Sequence, residues 1–194
     1  MSRTKNTLGP VIGYHGCDQE IAEKVLAGLE GLKPSENDYD WLGPGIYFWV
    51  DSKERGLQWA TEQSQRQYSK IKNPAVIGAF IHPGLCLNLT DYGVNEDLLE
   101  AYDVLKTSFA STQTELPTNK TRRNGIFMQR QLDCATIKVL HEMRELHNQA
   151  AYDTVYGVFE EGDELFAGSG FKAKTHVQIA VLNQASILGY FRVA

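Results

Sequence analysis

Short apolar runs and amphipathic stretches follow one another along the chain, and their periods predict both strands and helices. Apolar runs rich in β-branched and aromatic residues and bounded by turn residues predict strands. These runs cover 11–17, 46–50, 75–81, 85–89, 154–159, 175–182 and 187–193. Apolar residues at helical spacing predict a helix after an N-cap at Asp18 and further helices over 53–69, 95–110 and 127–148. The fold class is therefore α+β.

Two features of the pattern concern the arrangement of these elements. Pro83-Gly84 divides the apolar residues between 75 and 89 into two strand segments, which we expect to make an edge or bent strand of the same sheet. The segment 111–125 is polar and predicts a loop. The region from about 91 to 150 is interpreted as a helical insertion within a β-rich domain.

Composition and charge limit the class of protein. The 194 residues, 42% of them hydrophobic, suffice for one substantial core, so we expect a single domain over 1–194. The formal net charge is −5, so any surface that attracts nucleic acid must be local. Cys17, Cys86 and Cys134 include no Cys-x-x-Cys pair, which indicates neither a disulfide framework nor a zinc site. With no run of about 18 apolar residues, we expect a cytoplasmic protein.

His15 and Tyr47 are the candidate functional residues of the first two predicted strands. Each is a hydrogen-bonding side chain in a short apolar run bordered by glycine, over 11–17 and 42–48 respectively. Glycine has no Cβ, so a ligand can approach the backbone closely at such positions. We interpret the two motifs as strand ends that present chemical groups to a ligand.

In this order, the two motifs resemble the catalytic domain of the poly(ADP-ribose) polymerase group of ADP-ribosyltransferases. The matching residues are His15-Gly16, Gly43-Pro44-Gly45-Ile46-Tyr47-Phe48 and, in the late strand, Gln178, where the family usually has glutamate. Gly31-Leu32-Lys33 and 81–87 extend the resemblance, which covers roughly 11–90 and 154–193. It implies the ADP-ribosyltransferase fold, a split and mainly antiparallel β-sheet with flanking helices.

The resemblance also implies NAD as a co-substrate and suggests which residues hold it. In the family, the nicotinamide amide binds the backbone of the glycine after the histidine, here Gly16, and the histidine, here His15, contacts the ribose of the adenosine half. Tyr47 would offer its ring to the nicotinamide, and Phe48 belongs to the same cofactor-binding set. The family often has a further tyrosine on the next helix. The nearest aromatic residue here, Trp59, either stacks on nicotinamide or packs in the core.

Gln178 changes the chemistry that the resemblance implies for the catalytic set of His15, Tyr47 and Gln178. An amide cannot ionise, so it can orient a ribose hydroxyl but cannot act as a general base. In the family, loss of the glutamate accompanies transfer of single ADP-ribose units or inactivity. His176 lies two residues away on the same strand face. It either supplies proton transfer or is an edge-strand histidine that faces water.

A local basic patch is the candidate acceptor site. Lys120, Arg122, Arg123 and Arg130 carry four positive charges with no acidic residue between 118 and 131, and Lys172 and Lys174 precede Gln178. The patch is either a groove that follows phosphates, which would favour RNA ahead of DNA as acceptor, or an ordinary solvated loop.

Several functions remain compatible with the sequence. We expect a mono-ADP-ribosyltransferase that acts on a macromolecule, typical of a bacterial toxin or antiviral effector held by a neutralising antitoxin-type protein. The alternatives are a protein mono-ADP-ribosyltransferase, an NAD glycohydrolase and an inactive module that binds NAD or ADP-ribose. His141 and His147 are six residues apart and do not share a helix face, so no metal site is expected. Asp133, in an otherwise apolar helical stretch, is expected to form a buried ion pair or a helix cap.

Overall fold

The protein has a mixed α+β fold. The structure, a computed structural model, describes residues 8–123 and 125–194, with the backbone alone described at 121–123. Its strands are β1 (Val11–Asp18), β2 (Ile46–Val50), β3 (Pro74–Ile81), β4 (Cys86–Asn88), β5 (Lys120–Arg123), β6 (Ile126–Gln129), β7 (Thr154–Phe159), β8 (His176–Val181) and β9 (Ile187–Arg192). Its α-helices are α1 (Gln19–Leu26), α2 (Lys53–Ser64), α3 (Asn95–Ser111) and α4 (Gln131–Leu146).

Seven of the described strands form one sheet in the order β4-β7-β8-β2-β1-β3-β9. Neighbouring strands are antiparallel except for β4 and β7, which are parallel. The three strands that carry His15, Tyr47 and Gln178 are therefore neighbours at the centre of the sheet, in the order β8-β2-β1.

Helix α1 covers one face of the sheet. It begins where predicted, because the Asp18 carboxylate accepts hydrogen bonds from the backbone N–H groups of Glu20 at 2.9 Å and Lys72 at 2.7 Å. Its buried residues, Ala22 and Val25, join a core with Phe48 of β2 and strands β1, β3 and β8.

The opposite face of the sheet is covered by α2 on one side and by α3 and α4 on the other. Ala101 of α3 and Ile137 and Leu140 of α4 pack with Leu87, Val155 and other residues into a second buried cluster. Helix α2 packs against β1 and β3. The two helical groups flank β2 and β8 on the same face of the sheet.

The two apolar segments within 75–89 form two strands of the same sheet, as predicted, but they do not make one continuous bent strand. Strand β3 lies inside the sheet between β1 and β9, whereas β4 forms the opposite edge beside β7. Between the two strands Gly84 has a φ of +60°, and the backbone N–H of Leu85 donates to Asp153 Oδ2 at 2.7 Å. This long-range contact redirects the chain, so that β4 runs parallel to β7.

The interpretation of 91–150 as a helical insertion is only partly correct: α3 and α4 are present, but part of the predicted loop and the predicted start of the second helix are not as expected. Residues predicted as a loop and as the start of a helix form the antiparallel hairpin β5–β6, so α4 begins at Gln131 rather than near 127. Asn119 explains this start, because its Oδ1 accepts from the N–H groups of Leu132 at 3.0 Å and Asp133 at 3.3 Å. Asp133 lies in the first turn of α4 with Oδ2 3.7 Å from Arg130 Nη1, but its side chain is 40% exposed, so the ion pair forms without the expected burial.

Among the described residues, no helix combines the length and the apolarity that crossing a membrane requires.

Candidate active site

Strands β1 and β2 pair over a short stretch and then separate beside His15. Their described register consists of Gly13 with Val50 and Tyr14 with Trp49, although β1 continues to Asp18 in register with β3. We call the space between the two strands beyond Tyr14 the β1–β2 gap. A sheet divided in this way at its centre gives a ligand access to backbone groups that a continuous ladder would occupy.

Gly16 faces this gap with its backbone polar groups. The N–H and C=O of one residue in an antiparallel strand point to the same side, and the side alternates along the strand. The C=O of Ile12 accepts from the N–H of Asp51 at 3.0 Å, on the β2 side. Tyr14 and Gly16 lie two and four residues after Ile12, so their backbone groups point to the same side as those of Ile12. The N–H and C=O of Gly16 therefore point into the gap.

The imidazole of His15 spans the gap. Its Nδ1 donates to the backbone carbonyl of Tyr47 at 2.7 Å, and its ring contacts the ring of Phe48 with centroids 5.6 Å apart. Because a carbonyl can only accept, the proton lies on Nδ1 and Nε2 is the acceptor. Burial lowers the pKa of His15, and the carbonyl contact raises it by less, so the ring is neutral at pH 7.

Tyr47 is held rigidly by the turn that precedes it. Its hydroxyl donates to the carbonyl of Gly43 at 2.6 Å and accepts from the N–H of Leu42 at 2.8 Å. Gly43 and Gly45 have φ values of +75° and +145°, which residues with a Cβ rarely adopt. Burial raises the pKa of Tyr47, so its ring can form a wall but its hydroxyl does not titrate near neutral pH.

The predicted site residues approach the gap from two faces of the sheet. Trp49 pairs with Tyr14 on β1 and with Gln178 on β8, so these three side chains share a face. Tyr47 lies on that face too, being two residues from Trp49, whereas His15 is one residue from Tyr14 and lies on the other. The structure thus brings His15 to the backbone of Tyr47, and places Gln178 on the face of the Tyr47 ring.

The side-chain amide of Gln178 is uncommitted within the described part of the chain. It pairs with Trp49 of β2 and Gly157 of β7, and it is partly buried. Its side chain makes no hydrogen bond to any residue that the structure describes. Both its donor and its acceptor are therefore available to a ligand.

Two residues of the predicted cofactor set have structural roles that the sequence did not indicate. A Cβ on Gly16 would lie 2.3 Å from the carbonyl oxygen of Gly56, so close packing against α2 is enough to require glycine there. The side chain of Phe48 has 0% exposure and lies in the α1-side core. Its predicted direct contact with a cofactor does not fit this position, and it supports the His15 ring instead.

Trp59 packs partly against a neighbour that the sequence analysis did not consider. Its ring centroid is 5.5 Å from that of Trp49, which is 4% exposed, while Trp59 itself is partly buried. The contact with Trp49 supports the packing alternative, and the remaining exposed part of the ring faces outward from α2.

A buried polar cluster lies beside Gln178 on the same face of the sheet. Arg55 Nη2 is 2.7 Å from Glu161 Oε2, and the same oxygen is 3.9 Å from His176 Nδ1. The side chains of Arg55, Glu161 and His176 are 9%, 13% and 2% exposed. The alternative in which His176 faces water is therefore wrong, because β8 lies between β7 and β2 rather than at an edge.

Aromatic rings and a second arginine complete this cluster. The rings of Trp41 and Phe159 lie next to His176, with centroids 6.3 and 5.8 Å from it. The Arg130 guanidinium lies over both rings, 4.3 Å from the centroid of Trp41 and 5.0 Å from that of Phe159. Arg130, predicted to bind the acceptor, is thus part of the cluster and not of an open loop surface.

The other predicted acceptor residues lie in two separate places, the loop before β8 and strand β5. The Lys174 ammonium already pairs with Glu62 at 2.7 Å. The backbone of Lys172 forms an isolated antiparallel β-bridge with that of Glu164 in the loop before β8. Arg122 and Arg123 belong to β5, but their side chains lie outside the described residues. Lys120 is exposed at the start of β5 and lines a cavity of about 270 Å³ with Lys138 and Gln131, among others.

A second cavity, of about 420 Å³, is lined by residues of α1, of α2, of β3 and of the C-terminal end of the chain. It is lined by Val76 and Ile77, the β3 residues that pair with Gly16 and His15, and by Lys53 and Arg192 among others. Neither Tyr47 nor Gln178 lines it, so this cavity lies across β1 from the gap.

Comparisons with known proteins yield no family. No protein-family model matches the chain, and no solved structure matches it. The chain is 38% identical over 66 residues to the uncharacterized protein MJ0359 of Methanocaldococcus jannaschii. The aligned segment covers 34% of this chain and 30% of the archaeal protein, whose name states no function.

Proposed function

We propose that the protein is a mono-ADP-ribosyltransferase that cleaves NAD and transfers one ADP-ribose unit to a macromolecule. One observation carries the proposal: the β1–β2 ladder ends beside His15, so that the backbone of Gly16 faces a gap at the centre of the sheet. The residues that resemble the family's three signature positions, His15, Tyr47 and Gln178, lie on the three adjacent strands around that gap.

The donor side of the site matches the chemistry of a nicotinamide. A carboxamide carries one acceptor and one donor group, which the N–H and C=O of Gly16 complement. The Tyr47 ring, fixed by its two hydrogen bonds, would limit the position of the nicotinamide ring. His15 Nε2, the acceptor nitrogen of a neutral ring, would accept a hydrogen bond from a ribose hydroxyl.

Gln178 would orient the donor ribose. Its uncommitted amide can both donate to and accept from ribose hydroxyls, and holding the donor in a reactive pose accounts for much of the rate of such transfers. It supplies no charge, so it cannot activate a second ribose hydroxyl for chain elongation. In the family that the motifs resemble, loss of the glutamate accompanies transfer of single ADP-ribose units, which is the reaction proposed here.

For the acceptor we favour nucleic acid, RNA ahead of DNA, over protein. The support is the concentration of Lys120, Arg122 and Arg123 on one strand of a protein with a net charge of −5. An enzyme that consumes NAD and modifies a macromolecule of its own cell would be harmful when always active. We therefore include in the proposal a toxin or antiviral role and a neutralising protein partner.

Labelled NAD tests this function directly. The pure protein is incubated with labelled NAD and, separately, with total cellular RNA, with DNA and with protein from a cell lysate. We expect nicotinamide release and label on RNA. Label on protein alone would contradict the nucleic-acid acceptor, and free ADP-ribose as the sole product would indicate a glycohydrolase. Binding of NAD without turnover would indicate a binding module.

A further inference from the structure

Four nitrogen atoms next to Gln178 lack a hydrogen-bond partner within the described part of the chain. They are Trp49 Nε1, Arg55 Nε and Nη1, and His176 Nε2. Their residues are 4%, 9% and 6% exposed. Buried polar atoms in folded proteins are nearly always hydrogen-bonded, and an unpaired one destabilises the fold. A concentration of them at one place indicates a site for a polar ligand.

The residues that carry these atoms are neighbours, because the Glu161 carboxylate connects Arg55 with His176 and the Arg55 guanidinium lies beside the Trp49 ring. Glu161 Oε2 is 2.7 Å from Arg55 Nη2 and 3.9 Å from His176 Nδ1, and the Arg55 guanidinium carbon lies 5.7 Å from the centroid of the Trp49 ring. The site adjoins Gln178, since Trp49 is its cross-strand partner and His176 precedes it by two residues on the same face.

The protonation state of His176 follows from its neighbours. Nδ1 is 2.6 Å from the carbonyl of Lys174, which can only accept, so Nδ1 carries the proton and Nε2 keeps its lone pair. Burial is the main cause that holds the pKa of His176 below its ordinary value. The Lys174 carbonyl and Glu161 raise this pKa, while Arg55 and Arg130 lower it. At pH 7 the ring is therefore a neutral base.

The donors and the lone pair together fit a hydroxyl group. Its oxygen can accept from the N–H groups of Arg55 and Trp49, and its proton can point to His176 Nε2. A phosphate or a carboxylate would leave the lone pair of Nε2 without a donor. A hydroxyl or a water molecule satisfies both kinds of atom.

We propose that His176 is the general base that takes the proton of the acceptor hydroxyl, an inference that rests on the transferase function proposed above. The hydroxyl oxygen bonds to the anomeric carbon of the NAD ribose. The bond from that carbon to the nicotinamide nitrogen breaks, and its electron pair leaves with nicotinamide. The hydroxyl proton goes to His176 Nε2, and the Glu161 carboxylate stabilises the resulting imidazolium. The base that Gln178 cannot provide is thus supplied from the same strand.

This role predicts a hydroxyl-bearing acceptor. RNA offers a 2′-hydroxyl at every nucleotide, whereas DNA lacks it. The inference therefore supports RNA ahead of DNA on grounds independent of the charge on β5.

The test compares His176→Gln with the wild type, and His147→Gln, at an exposed helix end, is the matched control. Nicotinamide release and label transfer from NAD to total cellular RNA are measured from pH 5 to pH 9, with NAD affinity by calorimetry. In the wild type, kcat should fall as the pH drops through the pKa of His176, below about 6.5. His176→Gln should lower kcat by about a hundredfold to ten-thousandfold and abolish this decrease of kcat at low pH, the acid limb of the pH profile. It should leave NAD affinity within about threefold of the wild type. His147→Gln should match the wild type.

A folded His176→Gln protein with wild-type kcat and an unchanged acid limb would overturn the proposal, as would a lowered melting temperature with unchanged turnover. If this variant does not fold, Glu161→Gln replaces it, because removal of that negative charge should shift the acid limb to lower pH. An unshifted limb in a folded Glu161→Gln protein would also overturn the proposal. A wild type that binds NAD but never cleaves it would overturn the transferase function itself, which is a distinguishable result.

Discussion

His15 and Tyr47 are joined across the gap between their strands by a hydrogen bond of 2.7 Å from the imidazole Nδ1 to the backbone carbonyl. This bond fixes the tautomer of the ring and leaves Nε2 as its acceptor. It also holds β1 and β2 together where their ladder has ended. One side chain thereby combines a structural role at Nδ1 with a candidate binding role at Nε2.

A substitution can distinguish the structural role of His15 Nδ1 from the binding role of Nε2. In His15→Asn the amide N–H₂ lies near the position of Nδ1 and can donate to the Tyr47 carbonyl, but nothing replaces Nε2. We expect stability to change by less than about 1 kcal/mol and NAD affinity to fall about tenfold, roughly 1.4 kcal/mol. Urea unfolding and calorimetry measure the two effects. Wild-type NAD affinity in the folded variant would show that Nε2 contacts no donor ribose.

Close packing between Gly16 and α2 predicts a cost for any larger residue. Gly16→Ala places a Cβ 2.3 Å from the carbonyl oxygen of Gly56, a backbone atom that cannot move without shifting the helix. We expect a loss of about 1–3 kcal/mol in the free energy of unfolding. Gly189→Ala in β9 is the control, since its Cβ would meet no atom within 4 Å. Equal stability of the two variants would contradict the packing.

The buried pair of Arg55 and Glu161 predicts a large coupling energy. Arg55→Met leaves the carboxylate buried without its cation and should cost about 3–5 kcal/mol. Adding Glu161→Gln removes that unpaired charge, so the double variant should be more stable than Arg55→Met alone. A double-mutant cycle from urea unfolding measures this coupling. Additive effects of the two substitutions would show that the side chains do not interact.

One buried and two partly buried histidines predict that stability declines in mild acid. Burial lowers the folded-state pKa of His15, His141 and His176, so the unfolded chain binds more protons than the folded one below about pH 6.5. Stability is fully present above that pH and is lost toward the folded-state pKa values, at about 1.4 kcal/mol per pH unit for each histidine. Melting temperatures between pH 7.5 and pH 5 measure this loss. His141→Gln should reduce the slope.

The sequence was sufficient where the signal was local. The bounds of β2 and β7 agree with the apolar runs 46–50 and 154–159, and α1 begins at the predicted N-cap, because the capping carboxylate is adjacent to the helix that it caps. The predicted start of α4 was wrong and the parallel pairing of β4 with β7 was not predicted, because Asn119 and Asp153 act on residues distant in the sequence.

In the candidate site, too, the sequence was sufficient for local signals and insufficient for contacts between distant residues. Glycine motifs and strand patterns pointed to His15 and Tyr47, which the structure places on either side of one gap. Nothing in the local sequence indicated that Arg55 and Glu161, separated by 106 positions, form a buried pair next to His176. Charge counts likewise assigned Arg130 to a surface, although its guanidinium lies over two aromatic rings. Such pairings follow from how distant strands and helices meet, which local patterns do not encode.

The most direct measurement is nicotinamide release from NAD by the wild type and by Gln178→Ala, with label transfer to total cellular RNA followed in the same reactions. The amide orients the donor ribose without ionising, so its loss should lower kcat by about tenfold to a thousandfold, or 1.4 to 4 kcal/mol of transition-state stabilisation, with a smaller effect on NAD affinity. Gln178→Glu should still transfer single units without making chains. A folded wild type that neither binds nor cleaves NAD, or a Gln178→Ala protein with unchanged turnover, would contradict an ADP-ribosyltransferase site at the β1–β2 gap.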